Sequence, residues 1–293
     1  MKNKLSVVLA TKNEEKNIGP CLESVKDIAD EIVIFDEFSQ DKTREIARKY
    51  NARIYMYQHK TNFHETKQKA IEKAEGSWIL QLDADERVTP ALKEEIREII
   101  NCDDDNLATE IFERKCKKEF KKYKLFQKHQ KIIDKRHGKL GKDTQNLVAF
   151  FIPRKNYFLG KPLLHAGVYP DGVIRLIKKG KARLPGKSVH EIMEVYGRVG
   201  WLFSDLEHHE SPTFSRYLER MNRYTDITAN TLKIKNVPKN FWSLFRYSFL
   251  IPISYFVLLY IRHKGFLDGT RGFIWSLFSS LHYSVSYFKY CQL

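Results

Sequence analysis

The chain has 293 residues, 42% hydrophobic and 30% charged, which suits one large domain or a domain with an appendage. A formal net charge of +15 and a pI near 9.5 point to polyanionic partners, whether nucleic acid, anionic lipid or a phosphorylated substrate. Cys21, Cys102, Cys116 and Cys291 are scattered with no CxxC spacing, which argues against structural zinc and a disulfide framework and reads as thiols of a reducing compartment.

The N-terminal stretch MKNKLSVVLATKNEE starts basic, but its apolar run is short and ends in charges. It predicts a first strand over residues 5–10 rather than a signal peptide, and so a cytoplasmic catalytic part. Helical spacing follows over 17–28, a β-branched strand over 31–35, a helix over 42–50 and a strand over 53–57. A helix over 65–74 and a strand over 78–82 complete the series. Strands alternating with helices of this length indicate parallel βαβ units, whose right-handed crossovers bring the strand C-termini to one edge. Three polar clusters fall at those ends: Thr11-Lys12-Asn13-Glu14-Glu15, Asp36-Glu37 and Asp83-Ala84-Asp85-Glu86. Open α/β sheets bind ligands on that edge.

Asp83 and Asp85, one residue apart beyond a strand, can share a hard divalent cation, with Mg²⁺ or Mn²⁺ keeping positions open for substrate phosphates. Such a cation neutralises charge on a leaving diphosphate. The plainer reading of the residues is a solvated loop.

From about 103 to 146 the chain is lysine-rich and reads as a solvated helical insertion, with a basic arm for anionic lipid or a phosphorylated acceptor as the alternative. No base-reading module accompanies the lysines, so nucleic acid is not expected. Residues 150–231 form a mixed segment with short strands. After Pro238 the chain turns apolar and aromatic; its longest uncharged part, 247–261, is about fifteen residues, short of a bilayer span. Two amphipathic helices in the membrane interface are expected there, ahead of a buried helix pair or a tilted span from Phe241.

The runs LSVVLATKNEEKNI, EIVIFDEFSQDKT and QLDADERVTPAL resemble the nucleotide-sugar domain of family 2 glycosyltransferases. The downstream run from NYFLGKPLLHAGVYPDG to DLEHH, together with GFLDGTRGF, is similar to the subgroup that builds bacterial lipopolysaccharide core and related surface glycans. The resemblance implies a GT-A fold: a Rossmann-like, mainly parallel sheet with helices on both faces over 1–235, followed over 236–293 by the membrane-associating helices. It also implies an inverting displacement on a nucleotide-diphospho sugar, a UDP-hexose being the leading candidate.

By that resemblance Thr11 and Glu14 lie beside the nucleotide and Asp36 bonds the base. The usual Asp-x-Gly-Ser-Thr-Asp pattern reads DEFSQD, with Phe38 in place of the glycine, and Asp41 reads as a helix cap. Lys67 matches a residue that approaches the nucleotide, or is a helix-surface lysine. Asp83 would meet ribose or metal, Asp85 the metal, and His208 would be a third metal or diphosphate contact unless it is structural. Glu86 would orient the loop or touch the donor sugar. Arg175, with Lys178 and Lys179, would grip the diphosphate or a phosphorylated acceptor, the alternative for the two lysines being a solvated surface. Glu191 occupies the position of the family's base, with His190 beside it and Asp171 as second choice. The implied partners are a nucleotide sugar, a lipid-anchored glycan and the anionic cytoplasmic face of an inner membrane. A polyprenyl-phosphate sugar transferase, and an inactive protein that binds anionic lipid or nucleic acid, are the alternatives.

Overall fold

The structure is a computed structural model; it describes residues 4–58, 63–102, 105–138, 140–141, 146–186 and 192–293. The chain falls into two compact units, Met1–Arg154 with Pro170–His208, and Lys155–Tyr169 with His209–Leu293.

In the first unit the expected alternation is present: β1 (Leu5–Thr11), α1 (Ile18–Glu23), β2 (Glu31–Asp36), α2 (Thr43–Arg48), β3 (Arg53–Met56), α3 (Phe63–Lys73) and β4 (Trp78–Leu82). β1 pairs in parallel with β2 and β4, and β2 with β3. β1 and β4 are buried along their whole length, which is why they read as continuous apolar runs rather than alternating ones. β5 (Glu86–Val88), α4 (Pro90–Ile100), α5 (Asp105–Lys118), α6 (Phe120–His137) and β6 (Leu147–Phe158) follow, then β7 (Lys161–Pro162), β8 (Asp171–Lys178), β9 (Ala182–Arg183), β10 (Glu194–Val195), β11 (Arg198–Trp201) and β12 (Leu206–Ser211). The sheet order is β3-β2-β1-β4-β8-β6-β12-β5. The mainly parallel sheet expected from the sequence is therefore mixed: β8 runs antiparallel to β4 and β6, and β12 antiparallel to β5. These later strands are short or lie beyond the lysine-rich stretch, where the βαβ rhythm that marks parallel pairing has stopped.

The lysine-rich segment is helical, as α5 and α6, but it is more than a solvated arm. Phe126 is fully buried and stacks on Trp201 at 4.5 Å, and Trp201 stacks on Phe151 at 4.7 Å. Two or three aromatics among many lysines suffice to seat a helix pair on a sheet while the charged stems stay in water.

Helix α4 fixes the far edge of the sheet. Thr89 caps it, accepting from the Leu92 N–H at 3.2 Å, and Pro90 supplies a ready-made first turn. Its buried Glu95 accepts from the Phe203 and Ser204 N–H groups at 2.9 and 2.7 Å, and the Thr89 hydroxyl donates to the Asp205 carbonyl at 2.9 Å. These bonds lock the entry to β12, whose register sets His208 opposite Glu86.

The second unit holds α7 (Phe214–Ile234), a helix over Phe241–Arg262 that includes two wide π-type turns, and a last helix over Gly269–Gln292. Pro252 follows the first wide turn; such a turn absorbs the hydrogen bond that proline cannot donate, so the helix continues. GFLDGTRGF acquires a physical role here: Asp268 accepts from the Leu164 and His165 N–H groups at 3.1 and 2.8 Å and meets the His165 ring at 2.9 Å.

The last helix presents Gly272, Ser276, Ser280 and Ser284, four residues apart, all buried. A Cβ at Gly272 would stand 1.8 Å from the carbonyl oxygen of Gly265, which opens the turn just before this helix, so turn and helix backbones touch there. Gly272→Ala should therefore force them apart, at a cost of about 1–3 kcal/mol, and hasten proteolytic cleavage near residue 265. Unchanged cleavage would show that the contact is looser than described.

Candidate active site

The C-terminal ends of β1, β2 and β4 lie side by side, with Thr11 opposite Asp36 and Leu9 opposite Leu82. Asp36 is fully buried and completely engaged. It accepts from the Thr11 hydroxyl at 3.0 Å, the Ser39 hydroxyl at 2.6 Å and the Ser39 N–H at 2.8 Å. Asn13 donates its N–H to the same Ser39 hydroxyl at 2.9 Å, and Glu14 donates its N–H to Thr43 at 2.7 Å. Asp41 does serve the start of α2, accepting from the Thr43 N–H at 3.0 Å, and it also receives the Glu15 N–H at 3.0 Å.

Phe38 solves its substitution without a change of path. It adopts φ +56°, the conformation a glycine would supply, with its ring 53% exposed. A left-handed bulky residue costs about 1–2 kcal/mol. The Asp36–Ser39 bonds on either side of it oppose that cost.

The Asp83–Glu86 turn is organised from within. Glu86 is wholly buried; its carboxylate accepts from the Asp83 N–H at 3.0 Å and from Arg175 at 2.7 Å, with Arg154 at 3.4 Å. Arg175 also holds Asp83 Oδ2 at 2.5 Å and donates to the Gln81 side chain, while Lys67 Nζ meets Asp83 Oδ1 at 2.5 Å. Arg154 donates to Asp171 through Nε at 3.0 Å and Nη2 at 2.7 Å. Three carboxylates and three cations therefore interlock. Burial alone would raise the Asp83 carboxyl, but the charges of Arg175 and Lys67 overcome it and hold that group well below its usual range.

Asp85 points elsewhere. Its carboxylate lies 3.6 Å from His208 Nε2, and the register of β5 with β12 puts them together. Burial pushes the Asp85 carboxyl up; the hydrogen bond and charge of His208 outweigh that and leave it lowered. A cavity of about 210 Å³ adjoins Lys67, Gln81 and Arg175, with walls that include Phe151, Val173 and Leu184.

The sequence expectations are thus sorted by the geometry. Thr11, Glu14 and Asp36 share one edge with Asp83 and Asp85, and Lys67 reaches Asp83 rather than lying on a helix surface. Arg175 joins the same cluster, but its two terminal nitrogens face protein acceptors. Asp171, offered as a second base, is tied to Arg154. Lys178 does not belong to the site: β8 runs antiparallel to β4, placing Lys178 opposite Trp78, at the other end of the strand from Asp83. Lys179, next along, donates its N–H to Ser77 at that same end. Glu191 and His190 lie outside the described residues. Arg154 and Gln81 were missed; a lone arginine closing the apolar strand AFFIPR was the available signal for the first.

The family model described as Glycosyl transferase family 2 matches residues 6–161. The chain belongs to this family. The mixed sheet with helices is the GT-A-like fold of such enzymes, and the protein is a glycosyltransferase. It is 25% identical over 276 residues, 92% of its length and 85% of the relative's, to the lipopolysaccharide core biosynthesis glycosyltransferase LpsC of Rhizobium meliloti (strain 1021). An uncharacterized glycosyltransferase of Rickettsia bellii (strain RML369-C) is 38% identical over 101 residues, where the chain spans 33% of itself and 32% of that protein. A crystal structure of glucosyl-3-phosphoglycerate synthase from Mycobacterium tuberculosis, with Mn²⁺, UDP and glucosyl-3-phosphoglycerate, overlaps 33% of this chain and 38% of its own at 20% identity and a TM-score of 0.29.

Glycosyltransferases of this kind imply a divalent cation, and the donor set can be tested against one. Among the described residues no group of three or more His, Cys, Asp and Glu side chains stands at metal-holding spacing. Asp85 and His208 alone offer one oxygen and one nitrogen on the same spot. The Asp85 oxygen suits Mg²⁺ or Mn²⁺ when substrate phosphates complete the shell, and the His208 nitrogen favours the softer Mn²⁺ of the two. Asp83 has both oxygens committed to cations, which makes it a worse ligand than its neighbour.

A carboxyl whose folded pKa is depressed adds stability above its unfolded value and loses it as pH falls through the folded value. Stability followed by urea midpoint should therefore hold down to about pH 4 and fall below it. Asp83→Asn should be less stable near neutrality and show a shallower acid decline. Parallel acid limbs in the two proteins would mean that the Asp83 ion pairs contribute nothing.

Proposed function

We propose that the enzyme transfers a sugar, with inversion, from a nucleotide-diphospho sugar to a lipid-anchored glycan of the bacterial surface. One observation carries the reading: Asp85, beside His208, is held on the sheet edge shared by Thr11 and Asp36 by a turn whose other charges are internally neutralised. The turn leaves one acidic side chain for an external cation and keeps the rest occupied.

In this reading the nucleotide lies along the ends of β1 and β2, near Thr11, Glu14 and Asp36, with UDP as the first candidate. Asp85 and His208 would hold Mg²⁺ or Mn²⁺, which when bound neutralises charge on the departing diphosphate. Lys67 adds a nearby positive charge while keeping Asp83 ionised. Arg175 acts on Asp83 and Glu86, fixing the turn rather than gripping phosphate itself. The acceptor hydroxyl needs a base as it attacks. Glu191 takes that role, because Asp171 is spent on Arg154 and a carboxylate so paired is a poor proton acceptor. The sugar pocket is the cavity beside Lys67 and Gln81.

The likeness to the LpsC protein over 92% of the chain supports a lipopolysaccharide-core or related glycan as acceptor. Such acceptors are anchored in a bilayer, and the helix Phe241–Arg262 is long and apolar enough to meet one, with 11% of its most apolar window buried. We therefore assign these last helices to the cytoplasmic face of the inner membrane, peripheral or monotopic. A polyprenyl-phosphate acceptor is the second reading, favoured only by that helix's length.

Turnover of UDP- and GDP-sugars with Mn²⁺ or Mg²⁺ tests the chemistry. Chelation should abolish it, and Asp85→Ala and Glu191→Gln should each lower kcat by about a hundredfold or more. Asp171→Asn should retain far more activity than Glu191→Gln. The reading fails if no nucleotide sugar is bound or turned over with metal present.

A further inference from the structure

The helix Phe241–Arg262 exposes Trp242, Phe245, Phe249, Ile253, Val257 and Ile261 along one side. Its other side is covered by the last helix: Tyr247 stacks on Tyr287 at 4.9 Å, and Tyr255 meets Tyr283 edge-on at 5.1 Å. The exposed side is a continuous apolar strip of the kind soluble surfaces seldom leave open.

A single cation interrupts that strip. Arg246 is exposed, begins the first wide turn, and no ion pair or hydrogen bond joins its guanidinium to another group among the described residues. It borders a groove of about 490 Å³ lined by Trp242, Leu250, Ile251, Tyr255 and Leu258. The surrounding charge has one sign. Between Asp226 and Asp268 the chain has no acidic residue, while Lys233, Lys235 and Lys239 precede the helix and Arg262 and Lys264 end it.

A guanidinium on apolar surface requires an anion once water is withdrawn, and its planar fork matches two phosphate oxygens. The groove beside it calls for a hydrocarbon chain, and an exposed tryptophan at the same end suits the boundary between chain and headgroup. One molecule supplies all three features. We propose that this groove binds an anionic phospholipid of the bilayer, its phosphate on Arg246 and an acyl chain along Trp242, Leu250 and Leu258. The assignment rests on the membrane association inferred above and adds a specific headgroup contact to it.

Flotation of the full chain with vesicles separates the two ideas. One set is phosphatidylcholine alone; the other contains phosphatidylglycerol as about one lipid in five. Wild type should bind both and prefer the second. Arg246→Gln should bind the first set as wild type does and lose about fivefold in affinity for the second, the worth of one basic side chain at an anionic surface. Arg246→Lys should recover only part of the loss, because a point charge lacks the fork. Quenching of Trp242 fluorescence by acyl-brominated phosphatidylglycerol, read against Trp242→Phe, should weaken in Arg246→Gln. Undiminished binding and quenching in Arg246→Gln, or full recovery with lysine, overturns the headgroup site and leaves membrane association standing. A wild type that floats with neither vesicle overturns both.

Discussion

Everything near the candidate site depends on how the fold disposes of buried charge. Glu86 has no solvent exposure, and Arg175 almost none. Removing one partner from such a cluster leaves an uncompensated ion in low dielectric, which costs about 3–5 kcal/mol. The cluster therefore resists being opened by a passing ligand. Its rigidity explains how Asp83, Ala84 and Asp85 keep one conformation although three acids crowd within four residues. Glu86 closes the turn by receiving the Asp83 N–H, and the two arginines hold Glu86 from β6 and β8.

The same economy appears at the other two corners of the site. Asp36 is consumed by Thr11 and Ser39, so its charge shapes the β2 loop instead of standing free. That clamp allows Phe38 to occupy a glycine conformation, and it leaves an aromatic ring facing solvent beside the edge. On the far side, Glu95 and Thr89 fasten the chain just before β12, and strand register then delivers His208 to Asp85. Asp85 ends up as the acid whose placement owes least to internal pairing with arginine or lysine. Its environment is the one best suited to exchange a protein contact for a metal or a phosphate.

How far the sequence reaches can be judged from particular residues. The parallel half was legible because βαβ packing imposes long apolar runs and regular spacing: the strand over 78–82 coincides with β4. The antiparallel half was not, because β5 is too short to carry a pattern, and β6 and β8 follow the lysine-rich helices, outside the βαβ rhythm that reveals a partner. The edge that gathers Thr11, Asp36, Asp83 and Asp85 follows from crossover handedness alone. Which acid is paired and which is left for a ligand does not, since Arg154 and Arg175 come from strands 68 and 89 positions beyond Glu86. Lys178 shows the opposite failure. A basic residue close in sequence to Arg175 looked like a phosphate contact until strand direction put it at the wrong end.

The C-terminal helices invert the distribution expected in water. What the last helix buries is Gly272, Ser276, Ser280, Ser284, Ser286, Tyr287 and Tyr290; what Phe241–Arg262 exposes is Phe, Trp, Ile and Val. Ser284 donates to the Tyr247 carbonyl at 3.1 Å and Tyr290 to the Val237 carbonyl at 2.6 Å, whereas the buried Ser276 hydroxyl has no partner among the described residues. In water such a pair would lose apolar burial on the outside and gain little from its small-residue seam. In a medium as apolar as the exposed side chains, the terms reverse: the outer face costs nothing, and close backbone approach becomes the main source of helix–helix attraction. The small-residue side of the last helix and the strip at Phe249 and Ile253 are thus what the proposed membrane association calls for.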